Sequence, residues 1–382
     1  MNTIRFGIIG CGQMGREFAS VVSRWCHLPE MDIRPELTAI CNRSLTPAKI
    51  DWYTNNFPGI AQVTDDYRAL LANDQVDAVY VALPHHLHGP VYSAAIAAGK
   101  HLLGEKPFGM DLPASQAIQQ SIQAHPGMHV ACASQLIFFP AIQRILRMLE
   151  QDRFGQIIEV DAGFLHSSDL NPNKTINWKR LNQYNGEYGP LGDLAPHVAL
   201  VAFRAGWQVL DTRAICSNII TERPDEHGAM VPCDTWDNVT QLSTVHDPKH
   251  GNRFPWTFRA HRILPGEMNT WYLSIYGTRA SAKFSLRNPK SLQILEYTGG
   301  EQTWQTVEVG FDTAYKTITG MNFEFGALDA FMQMIAAFMY ELSHGKPLNH
   351  VATCPTPAEL HECHRLFTAA LESNRLGETV TL

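Results

Sequence analysis

The stretch FGIIGCGQMGREF, residues 6–18, decides the fold expected for this chain of 382 residues. A β-like apolar run leads into Gly10-x-Gly12-x-x-Gly15, and a helical pattern begins at the last glycine. In such a turn Gly10 permits the sharp change of direction, Gly12 lets a pyrophosphate approach the backbone, and Gly15 lets the helix pack closely on the strand. The helix N-terminus then offers amide donors to phosphate groups. The stretch predicts dinucleotide binding; a tight turn without a ligand is the alternative. The predicted cofactor-binding residues of this loop are Gly10, Gly12, Gln13, Met14 and Gly15.

The pattern along the chain changes once. Between residues 4 and 133, short apolar strands alternate with helices, which is typical of a doubly wound parallel sheet with helices on both faces. Between residues 157 and 309, strand-like runs follow one another with few helices, which favours a large, mostly antiparallel sheet. We therefore predict an α/β protein with a Rossmann dinucleotide-binding domain over residues 1–134. A second α/β domain is predicted over residues 135–382.

Composition excludes several classes of protein. Hydrophobic residues make up 45% and charged residues 18%, an ordinary globular mix. The net charge of −7 gives no sign of a nucleic-acid partner, and no apolar run is long enough to span a bilayer. The eight cysteines form no C-x-x-C pair, and the N-terminus shows no leader pattern. We expect reduced thiols and a cytoplasmic protein.

The end of the second predicted strand, AICNRS at residues 39–44, bears on the choice of cofactor. NAD sites usually place Asp or Glu here, and such a carboxylate repels the 2′-phosphate of NADP. Here Asn42 is neutral, and Arg43 and Ser44 follow it. We expect NAD(P) to bind through these three residues, with NADP slightly favoured over NAD. Two alternatives stay open: Asn42 can bond ribose hydroxyls, and Arg43 can be a solvated surface residue.

A histidine-rich loop, VALPHHLHGP at residues 81–90, follows the fourth predicted strand. No carboxylate or cysteine joins its histidines at the spacing of metal ligands, so we predict no metal site. Ligands of open α/β sheets bind at the carboxyl ends of the strands. The loop is therefore predicted to cover the nicotinamide ribose, with four cofactor-binding residues: Leu83, Pro84, His85 and His88.

Two further motifs carry groups suited to hydride transfer. GEKPFG, residues 104–109, follows the next strand, so Glu105 and Lys106 are expected at the cofactor's rim; a solvated loop lysine is the alternative. In GPLGDLAPHVALV, residues 189–201, a helix would place Asp193 and His197 on one face. Alternatively, Asp193 is a helix N-cap and His197 a buried structural histidine. Alcohol oxidation needs a base for the hydroxyl proton, which suits histidine, and a cation stabilises the developing alkoxide.

In this order, GCGQMG, ALPHHLH, GEKPFG and G-x-x-G-D-x-x-x-H resemble the Gfo/Idh/MocA oxidoreductases, the family of glucose–fructose oxidoreductase and inositol dehydrogenase. The C-terminal segment from LDAFMQM to LGETVTL resembles the family as well. The resemblance implies NAD(P)-dependent oxidation or reduction at a sugar or polyol carbon, and an open sheet that forms homodimers or homotetramers. It implies that Lys106 contacts the reacting oxygen, that His197 is the acid/base and that Asp193 orients the substrate or the histidine.

The same resemblance defines a substrate site and two departures from the family's pattern. Many relatives have an arginine in place of Ile137, and Pro196 stiffens the start of the helix before His197. An aromatic pocket of Phe138, Phe139 and Trp178 would suit a glycoside or a less polar sugar derivative. The predicted substrate-binding residues are Lys106, Gln135, Trp178, Lys179, Asp193 and His197. Alternative functions are an NAD-dependent glycoside hydrolase that uses transient oxidation and a non-catalytic dinucleotide sensor.

Overall fold

The computed structural model describes residues 2–320, 322 and 325–382. Its described residues form two compact units. The first unit takes the described parts of Met1–Phe138 and Thr313–Ala358, and the second takes Phe139–Asp312 and Glu359–Leu382. In the described part of the chain, no helix is long and apolar enough to cross a membrane.

The first unit is built on a six-stranded sheet in the order β3-β2-β1-β4-β5-β6, in which all paired neighbours run parallel. Its strands are β1 (Asn2–Ile9), β2 (Ile33–Cys41), β3 (Gln62–Thr64), β4 (Ala78–Val81), β5 (His101–Glu105) and β6 (Val130–Ala133). Its helices include α1 (Gln13–Ser23), α2 (Pro47–Asn56), α3 (Tyr67–Leu71), α4 (His88–Ala97) and α5 (Leu112–Ala124). This confirms the predicted Rossmann sheet.

The carboxyl ends of four of these strands meet at one edge of the sheet. β1 pairs with β2 on one side and with β4 on the other, so Ile9 lies opposite both Cys41 and Val81. Val81 in turn lies opposite Gly104 of β5. The strand order reverses between β1 and β4, and ligands of such sheets usually bind beyond the strand ends at this point. The glycine loop, the histidine loop and GEKPFG all begin at this edge.

One boundary differs from the predicted division of the chain. Residues 313–358 were assigned to the second domain, but they cluster with the first unit. The long helix of this segment, Ala327–His344, places the Phe338 ring 6.2 Å from Phe6 and the Phe331 ring 6.1 Å from Tyr80, between ring centroids. Aromatic packing on β1 and β4 therefore joins this helix to the Rossmann sheet.

The second unit is built on a nine-stranded sheet whose order is β16-β15-β14-β13-β7-β12-β11-β8-β17. Only the β7–β12 pair is parallel among the pairs described. The strands are β7 (Ile157–Leu165), β8 (Gln208–Ser217), β11 (Asn238–Asp247), β12 (Asn252–His261), β13 (Thr270–Gly277), β14 (Ala280–Ser285), β15 (Ser291–Glu296), β16 (Gln305–Glu308) and β17 (Val380–Thr381). A separate hairpin joins β9 (Glu222–Pro224) to β10 (Met230–Pro232). The mostly antiparallel sheet confirms the fold class.

The helices of the second unit include α6 (Pro140–Glu150), α7 (Asn182–Asn185), α8 (Pro190–Asp193), α9 (Ala195–Arg204) and α11 (Pro357–Leu376). The last follows the long helix α10 (Ala327–His344) of the first unit. The two short helices, α7 and α8, lead into the predicted acid/base segment. One face of the sheet is covered, and Trp256 and Trp271 are fully buried there. On the other face Ile215 and Leu242 are 65% and 53% exposed.

Candidate active site

The three glycines of the loop between β1 and α1 differ in the space around them. Gly10 has φ +105°, and a Cβ added there would lie 2.1 Å from the Ala82 carbonyl oxygen. A Cβ added at Gly15 would lie 2.3 Å from the carbonyl oxygen of Gly10. A Cβ added at Gly12 would meet no heavy atom within 4 Å. The loop is therefore closely packed at its two ends and open at Gly12.

The start of α1 offers donors to a ligand in that open space. Gly12 is the N-cap of this 11-residue helix and no side chain caps it, so the amides of the first turn lack an intrahelical partner. Gly12 and Gln13 are exposed and Met14 is half-buried. Such an N-terminus favours negative charge through its amides and its dipole. The open backbone and the donors fit the pyrophosphate of a dinucleotide.

The side chain of Asn42 links the end of β2 to the glycine loop. Its Oδ1 accepts a hydrogen bond from the Cys11 amide at 3.2 Å, and its Nδ2 donates to the Ser44 carbonyl oxygen at 2.7 Å. Arg43 between them is exposed. Asn42 thus holds the strand end beside the loop, while the Arg43 guanidinium is left in solvent at the place where the sequence predicts the adenosine ribose.

His88 has a role different from the predicted one. It is fully buried at the start of α4, where its Nδ1 contacts the Pro107 carbonyl oxygen at 2.7 Å and its Nε2 contacts the Leu83 carbonyl oxygen at 2.8 Å. Burial lowers the pKa of His88 to about 4, against the two carbonyl contacts, which raise it. Because both ring nitrogens contact the protein's own backbone, His88 joins the histidine loop to the GEKPFG loop. It offers no donor to a cofactor, which corrects its prediction as a cofactor-binding residue.

The other residues of the histidine loop lie at the same edge of the sheet. Leu83 and Pro84 are half-buried and His85 is 2% exposed in a single 3-10 turn, His85–Leu87. Among the residues that the structure describes, no group of three or more His, Cys, Asp or Glu side chains is placed to hold a metal ion. Independence from metals stays a prediction that needs its own experiment.

Two tyrosines hold the Glu105–Lys106 segment, which lies at the end of β5. The Tyr80 hydroxyl donates to Oε1 of Glu105 at 2.6 Å, and the Tyr92 hydroxyl donates to the Glu105 carbonyl oxygen at 2.5 Å. Oε2 of Glu105 accepts from the Lys106 amide at 3.2 Å. Glu105 is 6% exposed, and the Lys106–Pro107 peptide is cis. The buried carboxylate therefore fixes the backbone from which the half-buried Lys106 side chain extends.

In the second unit, the tryptophan-plus-basic segment meets the predicted acid/base segment. The Lys179 ammonium lies 2.9 Å and 3.0 Å from the two carboxylate oxygens of Asp193. Lys179 belongs to a 3-10 turn, Trp178–Arg180, and its ammonium also lies 5.8 Å from the centroid of the Trp178 ring. Three of the predicted substrate-binding residues are thereby brought together.

The helix predicted to carry both Asp193 and His197 is divided. α8 ends at Asp193 and α9 begins at Ala195, with Leu194 between them. Pro196 lies in the first turn of α9, where its missing amide costs no helical hydrogen bond. His197 is 4% exposed, and its ring centroid lies 5.8 Å from that of Phe164, edge to face.

Arg262 is a residue of this group that the sequence analysis missed. Its guanidinium lies 3.5 Å from Oδ2 of Asp193 and donates to the Lys179 carbonyl oxygen at 3.0 Å and to the Gly189 carbonyl oxygen at 3.2 Å. It follows β12 directly, in RAHRILPG, and no local sequence motif distinguishes it from the other arginines of the chain. Only the three-dimensional fold brings it to Asp193.

The predicted aromatic pocket is wrong in two of its three members. Phe138 and Phe139 are 1% and 2% exposed, and the Phe139 ring lies 6.2 Å from that of Phe284. Ile137 is also buried, at 1% exposure, in the 3-10 turn Gln135–Phe138. The run SQLIFFP therefore contributes its apolar side chains to the core. Half-buried Gln135 and Trp178 stay candidates for substrate contact.

Comparison with known proteins defines the class of this chain first. A model of an oxidoreductase family with an NAD-binding Rossmann fold matches residues 4–131. The chain is thus an oxidoreductase, an enzyme whose first unit binds a nicotinamide dinucleotide.

Individual relatives extend the comparison beyond the first unit. Levoglucosan dehydrogenase of Pseudarthrobacter phenanthrenivorans is 25% identical over 318 residues, which cover 77% of this chain and 76% of that protein. A glycosyl hydrolase family 109 protein of Shewanella pealeana is 26% identical over 210 residues, 51% of this chain and 44% of that protein. A crystal structure of levoglucosan dehydrogenase in complex with NADH and levoglucosan has the same fold, with TM-score 0.87, 23% identity and coverage of 100% of this chain and 99% of that one. Residues 4–131 thus match the Gfo/Idh/MocA oxidoreductase family, and the chain as a whole is similar to a sugar dehydrogenase.

Proposed function

We propose that this enzyme transfers a hydride between the nicotinamide of NAD(P) and a carbinol carbon of a sugar, polyol or sugar derivative. The observation that carries the proposal lies in one sheet: the Gly12 cradle and Lys106 both follow carboxyl ends of its parallel strands. A dinucleotide on the cradle has its reactive ring at that edge in folds of this kind. When bound, the nicotinamide supplies the hydride acceptor or donor.

We assign a separate task to each polar residue of the proposed reaction. The Lys106 ammonium binds the reacting oxygen and stabilises its developing negative charge. His197 takes the hydroxyl proton in oxidation and returns it in reduction, since a neutral imidazole is a suitable base. Asp193 orients the substrate through its carboxylate, which Lys179 and Arg262 hold. Trp178 and Lys179 are proposed to line the substrate site.

The names of the relatives support a carbohydrate as the substrate class. One relative is a levoglucosan dehydrogenase, and a crystal structure of a levoglucosan dehydrogenase with the same fold contains NADH and levoglucosan. A carboxylate between two cations, as at Asp193, is an acceptor for sugar hydroxyl groups. Thermal-shift and turnover measurements with a panel of sugars and polyols, each with NAD and with NADP, test the proposal. A panel without any change in nicotinamide absorbance and without any stabilisation by sugars would contradict it.

We also propose that NADP binds at least as well as NAD. The support is the neutral, internally bonded Asn42 beside the exposed Arg43. A guanidinium in solvent is available to a 2′-phosphate, and no carboxylate follows the strand to repel it.

A second candidate function is glycoside hydrolysis by transient oxidation with a retained NAD. The observation that favours it is the likeness to glycosyl hydrolase family 109 proteins. Net reduction of added NAD(P) by a free sugar supports the dehydrogenase. Release of the aglycone from a chromogenic glycoside, without net change in the cofactor, supports the hydrolase. The third alternative, a sensor, predicts binding of the dinucleotide without either reaction.

Assembly and location complete the proposal. The exposed apolar side chains Ile215 and Leu242 on the uncovered face of the nine-stranded sheet support a homodimer or homotetramer through this face. Sedimentation of the purified protein tests it, with Leu242→Glu as the variant expected to dissociate. We further propose a cytoplasmic location and no nucleic-acid or membrane partner.

A further inference from the structure

One buried guanidinium connects the two segments that carry Lys179 and Asp193. Arg262 follows β12, and its side chain is 4% exposed. Its Nη1 donates to the Lys179 carbonyl oxygen at 3.0 Å. Its Nη2 donates to the carbonyl oxygen of Gly189, the residue just before α8, and lies 3.5 Å from Asp193 at the end of that helix. The planar fork of arginine makes such simultaneous contacts, which the point charge of lysine does not.

The carboxylate beside it has little access to water. The Asp193 side chain is 8% exposed, whereas the side chain of its other cationic partner, Lys179, is 40% exposed. A buried carboxylate stays ionised only where cations and donors replace its hydration. Since the Lys179 side chain is partly exposed and the Arg262 side chain is buried, Arg262 is the cationic partner of Asp193 that is shielded from solvent.

The charges around Asp193 come from several elements. Lys179 lies in the 3-10 turn, Arg262 follows β12, and His197 lies on α9. Burial lowers the pKa of Arg262, while Asp193 and Asp169 raise it, Arg180 lowers it and Asp237 raises it. Arg180 and Asp237 form an ion pair of their own whose side chains are both 0% exposed. Asp193 is therefore the carboxylate that connects Arg262 to the proposed substrate site.

We propose that Arg262 is a positioning residue for the reaction: it fixes the Asp193 carboxylate relative to Lys179. The proposal rests on the proposed function for its kinetic readout. Arg262 is not placed against the substrate; it acts through Asp193. Arg259, three residues earlier and within β12, donates instead to the Tyr272 hydroxyl and is half-exposed, so it serves as the control.

The kinetic test compares Arg262→Lys and Arg262→Gln with Arg259→Gln. We expect Arg262→Gln to lower kcat/KM by about 10- to 100-fold, since a displaced orienting group is costly, and Arg262→Lys to lower it less. Because Asp193 orients the sugar, we expect much of this loss in Arg262→Gln as a rise in KM for the sugar. Arg259→Gln keeps the wild-type kcat and KM, and NAD(P) affinity is unchanged in all three variants. A loss confined to the apparent kcat, with KM unchanged, is what a smaller folded fraction gives, and it would overturn the proposal.

A second measurement does not depend on turnover. The free energy of unfolding is measured for wild type, Arg262→Lys, Asp193→Asn and the double variant, in a double-mutant cycle. We expect the double variant to lose less than the sum of the single losses, since each single variant already removes the Arg262–Asp193 contact. Additive losses would show that Arg262 and Asp193 do not interact, whether or not the protein has sugar dehydrogenase activity. If instead the cycle shows coupling and no sugar is turned over, the proposed function fails while the Arg262–Asp193 relationship stands.

Discussion

The Lys179 ammonium contacts both carboxylate oxygens of Asp193, at 2.9 Å and 3.0 Å, from a segment 14 residues earlier in the chain. The two partners differ in their access to water, with side-chain exposures of 40% for Lys179 and 8% for Asp193. Solvent screening leaves a half-exposed ion pair with a small contribution to folding stability. We therefore interpret this pair as part of the proposed binding site. In this interpretation the partly exposed Lys179 contacts the ligand, and Arg262 holds the buried Asp193 in place.

The glycine loop predicts opposite outcomes for two alanine substitutions. Gly12→Ala adds a Cβ where no atom lies within 4 Å, so the fold is expected to change little while affinity for NAD(P) falls steeply. Gly15→Ala adds a Cβ 2.3 Å from the Gly10 carbonyl oxygen, so the free energy of unfolding should fall by about 1–3 kcal/mol. Cofactor titration and denaturant unfolding of both variants provide the check. Normal cofactor affinity in a stable Gly12→Ala would show that the dinucleotide binds elsewhere.

Cofactor preference should depend on Arg43. Arg43→Ala is expected to weaken NADP(H) by about 1.5–3 kcal/mol, the value of a charge-assisted hydrogen bond, and to leave NAD(H) unchanged. Fluorescence titration of both cofactors measures this. Arg34→Ala, which changes an exposed arginine near the start of β2, is the control and should alter neither affinity. A clear preference of the wild-type protein for NAD(H) would contradict the expectation.

Local sequence patterns were sufficient to predict the sheets and the glycine loop, because strand alternation and glycine spacing are properties of neighbouring residues. Contacts between distant segments were not predictable in the same way. The contacts of His88 depend on where the Leu83 and Pro107 carbonyl groups lie, and the local sequence does not specify these positions. The sequence pattern alone therefore predicts His88 as a cofactor-binding residue. Arg262 carries no local signal at all. The apolar pattern of α10 predicts burial but does not specify the sheet that buries it.

Metal removal should leave the reaction intact. The histidines of residues 85–88 have no carboxylate or cysteine at ligand spacing, and the proposed acid/base and cation are His197 and Lys106. We expect full activity after exhaustive dialysis against a chelator, measured as sugar-dependent change in nicotinamide absorbance. Loss of activity that zinc restores would mean that the histidine loop binds a metal.

Acid stability should reflect the buried imidazole of His88. Burial lowers its pKa from 6.5 to about 4, so the unfolded chain takes up the proton first as pH falls. This stabilising contribution is complete above pH 6.5 and is lost between about 6.5 and about 4, by at most about 3 kcal/mol. Unfolding free energies across this range should have a smaller pH slope in His88→Gln than in wild type. The exposed His227→Gln is the control, and an equal slope in all three proteins would refute the assignment.

The central claim is that Lys106 and His197 serve one hydride-transfer reaction, and steady-state kcat of Lys106→Ala, His197→Ala and the double variant tests it most directly. Each single substitution should lower kcat by roughly 10²–10⁴, the range for a lost acid/base or oxyanion group. The double variant should lose much less than the product of the single losses, because both residues act on the same oxygen and its proton. NAD(P) affinity should stay unchanged, since the glycine loop holds the phosphates, and Lys49→Ala, at an exposed lysine of α2, should have wild-type kcat. Near-normal kcat in Lys106→Ala with the sugar that the wild-type enzyme oxidises would contradict the account and make Lys106 an ordinary loop lysine.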